Sequence, residues 1–232
     1  MIHAAGVTLI GPAHAEMGLP NQDALGLWGW NRGWIAAVCD GVGSKPLSHI
    51  GSRLAATSVR RTIRSDISWE NPNALVEILH RGWVEVLKPL APNEGATTVL
   101  MAACNASGNT FVAQLGDGIV LFSSNGQFGV LTPARTGFVN ETTALGPSTS
   151  GDDWHLARLQ LSRPGDGVLL ATDGISDDLQ PERLEKFFRA MCKEMASRNR
   201  RTGRKWFHRQ LEAWPTPGHC DDKTIAIIYR AR

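Results

Sequence analysis

The apolar residues of this chain fall into two rhythms. VTLIG, ALGLWGW and GWIAAVCD are short apolar runs broken by Pro, Asn-Gln-Asp and Asn-Arg-Gly, the punctuation of β-strands. WNRGW predicts a hairpin turn that feeds the strand ending at Asp40. From about Leu47 to Ser65 the period lengthens, and Ile50, Leu54, Val59 and Ile63 share one side of a 3.6-residue repeat. A second helix follows, with Asn71 as its cap, Pro72 in its first turn and Leu75, Leu79, Trp83, Val86 and Leu90 keeping the period. After Gly95 the strand rhythm returns in TTVLMAAC, NTFVAQLG, GIVLFSSNGQFGVL and WHLARLQLS, then GVLLAT up to Asp173. Pro181 to about Asn199 predicts a third long helix, with Leu184, Phe187, Phe188, Met191 and Met195 facing the core. A shorter helix carries Trp206, Phe207 and Leu211, and KTIAIIYRA closes the chain as a strand.

This order of strands, two helices, a block of strands, helices and a strand does not alternate as βαβ units do. It predicts an α+β layered fold of antiparallel sheets covered by helices. No internal repeat, linker or low-complexity tract interrupts it, so residues 1–232 are expected to form a single domain.

Composition narrows the class further. With 42% apolar and 20% charged residues, the chain matches a globular protein that buries a substantial core. Its apolar runs of about ten residues or fewer are too short to span a bilayer. MIHAAGVTLIGPAHAE lacks the pattern of a secretory signal. Cys39, Cys104, Cys192 and Cys220 are far apart and form no C-x-x-C, which fits a reducing, cytoplasmic setting better than a disulfide framework. No membrane partner is expected, and the chain is read as a monomer. Charge is uneven: residues 183–209 hold ten Lys/Arg against two Glu, a local +8 in a chain of net +2. The simplest reading is a solvated helix face. Without interleaved aromatic residues suited to base stacking, no nucleic acid partner is expected.

The candidate chemistry lies in the aspartates. AAVCDGVGS, QLGDGIVLF and GVLLATDGISDDL send three apolar runs into Asp-Gly, at Asp40, Asp117 and Asp173. Asp-Gly is ordinary turn chemistry, and that suffices for Asp166 in RPGDGVLL, which opens a strand. Asp40 and Asp173 instead end strongly apolar runs, where a rigid strand end presents a side chain to a functional loop. Carboxylates that converge raise one another's pKa, and a divalent cation relieves the conflict. An all-oxygen set suits Mg²⁺ or Mn²⁺, and the missing Cys/His pattern disfavours zinc. GVGSK is not a phosphate-binding loop, because Pro46 follows Lys45 where Ser or Thr is required.

GLPNQDA, CDGVGS, GATTVL, QLGDG, ATDGISD and CDDKTIAII occur in this order from His14 to Thr224. The set resembles the metal-dependent protein phosphatases of the protein phosphatase 2C type, in particular the compact bacterial branch. The resemblance implies a four-layer α-β-β-α sandwich with two central antiparallel sheets. It also implies hydrolysis of phosphoserine and phosphothreonine in proteins by a hydroxide bridging two Mn²⁺ or Mg²⁺ ions, with a weaker third site. By the same likeness Asp40 bridges the two ions, the Gly41 carbonyl binds the second, and Asp173 and Asp221 bind the first. Asp23 holds metal-associated water, Asp117 and Asp177 form the third site, and Asp222 is a supporting residue. Asp40, Asp173 and Asp221 are thus the expected catalytic set. Phosphorylated proteins and a cognate Ser/Thr kinase are the expected partners.

The chain also departs from the family pattern. No Arg stands near Gly18, Val42 occupies the place of a His, and no Arg follows GDG. His14 and His49 are the candidate phosphate- or substrate-binding replacements. Asn140 and Glu141 mark a polar stretch, residues 133–154, that resembles a substrate-selecting flap. The departures leave one rival open, a phosphoprotein-binding module with weak or no catalysis; a metal-dependent hydrolase of small phosphate esters is a second rival.

Overall fold

The computed structural model describes residues 1–65, 71–132, 143–214 and 220–231. Among these, ten strands form two five-stranded sheets. The first runs β1 (Ile2–Leu9), β10 (Lys223–Arg230), β9 (Gly167–Ala171), β6 (Ile119–Ser124) and β7 (Gln127–Val130). The second runs β2 (Asp23–Trp30), β3 (Gly33–Asp40), β4 (Val99–Cys104), β5 (Asn109–Leu115) and β8 (His155–Gln160). Every strand pair is antiparallel. Turn chemistry sets the hairpins. Asn31 and Arg32 take φ of 47° and 57° between β2 and β3, and Asn125 and Gly126 take 53° and 83° between β6 and β7. Left-handed pairs of this kind match the twist of the flanking strands.

The two-residue period of the strands sorts side chains into three apolar layers. In β3, Ala36 and Val38 face the other sheet, while Ile35, Ala37 and Cys39 face outward. That outward face packs under α2 (Ser48–Arg64) and α3 (Pro72–Leu87), whose Val59, Leu75, Leu79 and Trp83 are buried. The first sheet carries α5 (Leu184–Ala196) and α6 (Arg200–Glu212), which bury Phe188, Met195, Phe207 and Leu211. The result is the expected helix–sheet–sheet–helix sandwich.

Asn71 caps α3 as expected, its side chain accepting from the Ala74 N–H at 3.2 Å, with Pro72 at the first helical position. α2 departs from the expected face. Gly51, Ser52, Ala55 and Ala56 are among its buried residues beside Val59 and Ile63, while Ile50 and Leu54 are only half-buried. The helix needs small residues there because its backbone runs close to a neighbour. A Cβ on Gly51 would lie 1.8 Å from the Gly95 carbonyl oxygen. Two short helices were not expected: α1 (Pro12–Met17) and α4 (Asp173–Ser176).

Candidate metal centre

The aspartates gather at one end of the layer between the sheets. Register explains the first pair. Asp23 opens β2 and stands directly opposite Asp40, the last residue of β3. Both continue the inward-facing set, since Leu25 and Leu27 in β2 and Ala36 and Val38 in β3 pack between the sheets. Asp173 follows β9 and starts α4, and Asp221 immediately precedes Asp222 and β10. Cys39, beside Asp40, points the other way into the core under α2, where burial pushes its thiol well above the ordinary range.

Threonines hold the frame. The Asp40 carbonyl accepts from Thr97 Oγ1 at 2.8 Å and from the Thr98 N–H at 2.7 Å, while the Asp40 N–H donates to Thr98 Oγ1 at 3.0 Å. The Thr-Thr of GATTVL therefore fixes the main chain on which Asp40 and Gly41 sit. Gly41 allows no side chain there, since a Cβ would lie 2.7 Å from the backbone of Ser48. Thr172 Oγ1 donates to Asp23 Oδ2 at 3.0 Å and accepts from the Thr224 N–H at 3.1 Å. Asn21 Oδ1 accepts from the Asp23 N–H at 2.8 Å.

Among the described residues, this cluster differs from two buried aspartates outside the proposed ligand set. Asp166, 1% exposed, accepts from Ser123 Oγ and from the N–H groups of Gly126, Ser162 and Arg163, all within 2.9 Å. Asp222, 2% exposed, accepts from the N–H groups of Gly11 and Gln22 at 2.6 Å and meets His14 Nδ1 at 2.9 Å. These two are saturated and structural. Asp23 Oδ1 and Asp173 Oδ1 are buried with no hydrogen-bond partner. An unsatisfied buried carboxyl oxygen is costly and demands an explanation.

Electrostatics singles out the cluster's own carboxyls. Burial pushes the Asp23 carboxyl up to about 8, with the charges of Asp222 and Asp173 adding to it and hydrogen bonds from Thr224 and Thr172 opposing it. Burial also raises Asp40 well above the usual carboxylate range, and Asp23, Asp173 and Asp221 push it further. Asp173 is raised by burial and by Asp221, Asp117 and Asp177, and it shares a hydrogen bond with Asp40 that lowers it. All six candidate metal-site aspartates therefore act on one cluster. Like charges packed this way cannot all ionise without a cation, and the donors are hard oxygens. The residues fit a divalent cation site for Mg²⁺ or Mn²⁺.

The histidines separate. His14 lies on α1 with its ring held by Asp222, and ligand atoms of His14, Asp221 and Asp222 lie within 4.8 Å of one another. Because the Asp222 oxygens are already engaged, we read this trio as an anchor rather than a cation site. His49, in the first turn of α2, has its pKa lowered by partial burial and by Arg53, and no described contact joins it to the aspartates. Asn140 and Glu141 lie outside the described residues. Asp222 carries more of the site than its expected supporting role, because it ties α1, the start of β2 and the start of β10 together. The available signal was parity: Asp222, Thr224, Ala226 and Ile228 alternate along β10 toward the inner layer. Replacing Asp222 with Ala leaves two main-chain donors unpaired. It should cost roughly 3 kcal/mol, read from urea midpoints, with Asp222→Asn losing less.

The fold and this site can be set beside known proteins. A family model described as Protein phosphatase 2C matches residues 10–214. Comparison with curated proteins returns no match. Among solved structures, the chain resembles the catalytic domain of the serine/threonine phosphatase PstP in complex with two manganese ions. That pair has a TM-score of 0.66 and 18% identity over 100% of this chain and 99% of that one. It also resembles PstP/Ppp of Mycobacterium tuberculosis, with a TM-score of 0.67 and 16% identity over 100% and 99%. A bacterial serine phosphatase gives a TM-score of 0.70 and 14% identity over the same shares. At such identities these structures speak for the fold, and the family model speaks for descent: the chain belongs to the protein phosphatase 2C family.

Proposed function

We propose that residues 1–232 act as one catalytic domain, a metal-dependent phosphatase that removes phosphate from phosphoserine and phosphothreonine in proteins. Family membership supports the reaction class. The observation that carries the assignment to this site is a set of crowded, mutually repelling carboxyls, with Asp23 Oδ1 and Asp173 Oδ1 buried and unsatisfied, while Asp166 and Asp222, the other buried aspartates among the described residues, are saturated. In this reading Asp40, Asp173, Asp221 and the Gly41 carbonyl hold two Mn²⁺ or Mg²⁺ ions. Asp23 orders water beside them, and Asp117 and Asp177 contribute a weaker third site. The solved PstP complex with two manganese ions supports the stoichiometry.

When bound, such cations acidify water and offset charge on the phosphoryl oxygens. The chain's own contribution is position. Thr97 and Thr98 clamp the Asp40 backbone, and Thr172 orients the Asp23 carboxyl, so little reorganisation remains during the reaction. The substrate is a phosphoprotein, with a Ser/Thr kinase as the opposing enzyme. Among the described residues, no helix is long and apolar enough to cross a membrane.

The test is phosphate release from a phosphothreonine peptide and from p-nitrophenyl phosphate, with Mn²⁺, with Mg²⁺ and with EDTA. Metal-dependent turnover that favours the peptide is expected. Turnover of the small ester alone would move the assignment to small phosphate esters. No turnover by folded protein with either metal would leave a phosphoprotein-binding module.

A further inference from the structure

The basic segment of the sequence has a structural counterpart away from the aspartates. β1 and β2 are the edge strands of their sheets, and they lie on the same side of the sandwich. Between them opens a groove of about 840 Å³. Its floor is residues 4–8 of β1 together with Leu25 and Leu27 of β2, both half-buried on the inward faces. Its wall is α6, which packs on β1 and presents Arg201, Arg204 and Lys205, all exposed.

The charges on that wall run against helix physics. Arg201, Arg204 and Lys205 stand at i, i+3 and i+4, where like charges repel. The first turn of α6 contains Arg200 and Arg201 and no acidic residue, although the positive end of the helix dipole disfavours cations there. The neighbouring side chains are engaged: Arg200 lies 5.1 Å over the Trp34 ring, His208 Nδ1 lies 3.2 Å from a Glu212 carboxyl oxygen, and Arg198 pairs with Glu194. Among the described residues, Arg201, Arg204 and Lys205 have no carboxylate partner. Three like charges on one helix face, left uncompensated beside an apolar floor, are complementary to a ligand that brings both carboxylates and apolar side chains.

We propose that this groove docks an acidic, extended segment of a partner protein, with its carboxylates on α6 and its apolar side chains on Leu25 and Leu27. The floor argues for peptide over nucleic acid, since it offers aliphatic surface and no aromatic platform for bases. One end of the groove reaches Thr8. Thr8 Oγ1 accepts from Asn21 Nδ2 at 3.0 Å and meets Thr224 Oγ1 at 2.8 Å, beside the shell that holds Asp23. A docked segment therefore runs toward the proposed catalytic centre. Resting on the phosphatase reading, the inference names the substrate class: phosphoproteins with an acidic stretch remote from the phosphorylated residue.

The experiment uses the full chain and its Arg201→Glu/Arg204→Glu/Lys205→Glu variant. The probe is a short fluorescent peptide rich in Asp and Glu, carrying two leucines and no phosphate. Wild type should bind it, with affinity falling as salt rises. The triple variant should bind at least about tenfold more weakly, and Leu25→Ala about threefold more weakly. On a phosphothreonine peptide carrying the same acidic stretch, the triple variant should raise KM with kcat unchanged. Turnover of p-nitrophenyl phosphate should be equal in both proteins. Phosphate release from the phosphopeptide or the small ester reads the phosphatase assignment, so absence of both in wild type would sink that assignment without touching the binding result. Equal peptide binding by wild type and triple variant would overturn the groove. So would loss on charge reversal with none in Leu25→Ala, or binding of single-stranded oligonucleotide or anionic vesicles in place of the peptide.

Discussion

Asp173→Ala should abolish phosphate release while making the metal-free protein more stable. The two effects have one cause. Asp173 sits at the start of α4 with a buried Oδ1 that no group among the described residues satisfies, and it is repelled by Asp221, Asp117 and Asp177. On the proposed reading its carboxyl would be a cation ligand, and a bound metal would contribute several kcal/mol to the transition state. Turnover should therefore fall by about a thousandfold or more. In EDTA near neutral pH the same change relieves repulsion on Asp40, whose hydrogen bond to Asp173 is a compromise between two crowded acids. Melting temperature in EDTA should rise above wild type, and the increase on adding Mn²⁺ should shrink. A residue kept for packing would behave in the opposite way, losing stability and activity together. A variant that melts below wild type in EDTA would remove Asp173 from the centre.

The same contrast explains what could be read from the sequence. Apolar runs that end in Asp are visible without a structure, and Asp40 and Asp173 were legible for that reason. The hairpin at Asn31 and Arg32 and the cap at Asn71 were legible because their chemistry is local. Asp166 was legible as turn chemistry, but the role of Asp222 was harder to read. It looks like an Asp-Asp turn residue, and its difference from Asp173 lies in the N–H groups that reach it from elsewhere. Asp222 collects Gly11 and Gln22 across some two hundred residues of chain, a long-range closure that no local pattern encodes. α2 shows the same limit on the packing side. Its periodicity marked Ile50 and Leu54, yet the close approach of Gly51 to Gly95 selected the small-residue face. Helix propensity sets that a helix forms, and its neighbour decides which side is buried. The basic run at residues 183–209 was visible as charge, but only the placement of α6 against β1 shows which of its cations lack partners.

Stability of the metal-free protein should fall as pH rises from about 4 to about 8, and divalent cation should reverse that slope. Asp23 governs the window. Its carboxyl is 4% exposed and titrates at about 8 in the folded protein, against 3.8 for the ordinary group. Below 3.8 both folded and unfolded chains hold the proton, and Asp23 contributes no pH dependence. Between 3.8 and about 8 the unfolded chain has lost it while the folded chain retains it. The folded state then binds more protons, so each step upward in pH favours unfolding, until the folded carboxyl also ionises. Asp40 and Asp173, also raised, add in the same direction. A divalent cation favours the ionised carboxyls, so its binding releases protons and strengthens with pH. Melting curves across this range in EDTA should slope downward, and in saturating Mn²⁺ they should be flat or rise. Asp23→Asn keeps the shape and removes the titration, so it should flatten the EDTA curve in particular. A metal-free protein whose stability climbs through this range would mean that these carboxyls are ionised and satisfied within the fold. The demand for a cation, on which the catalytic reading depends, would then disappear.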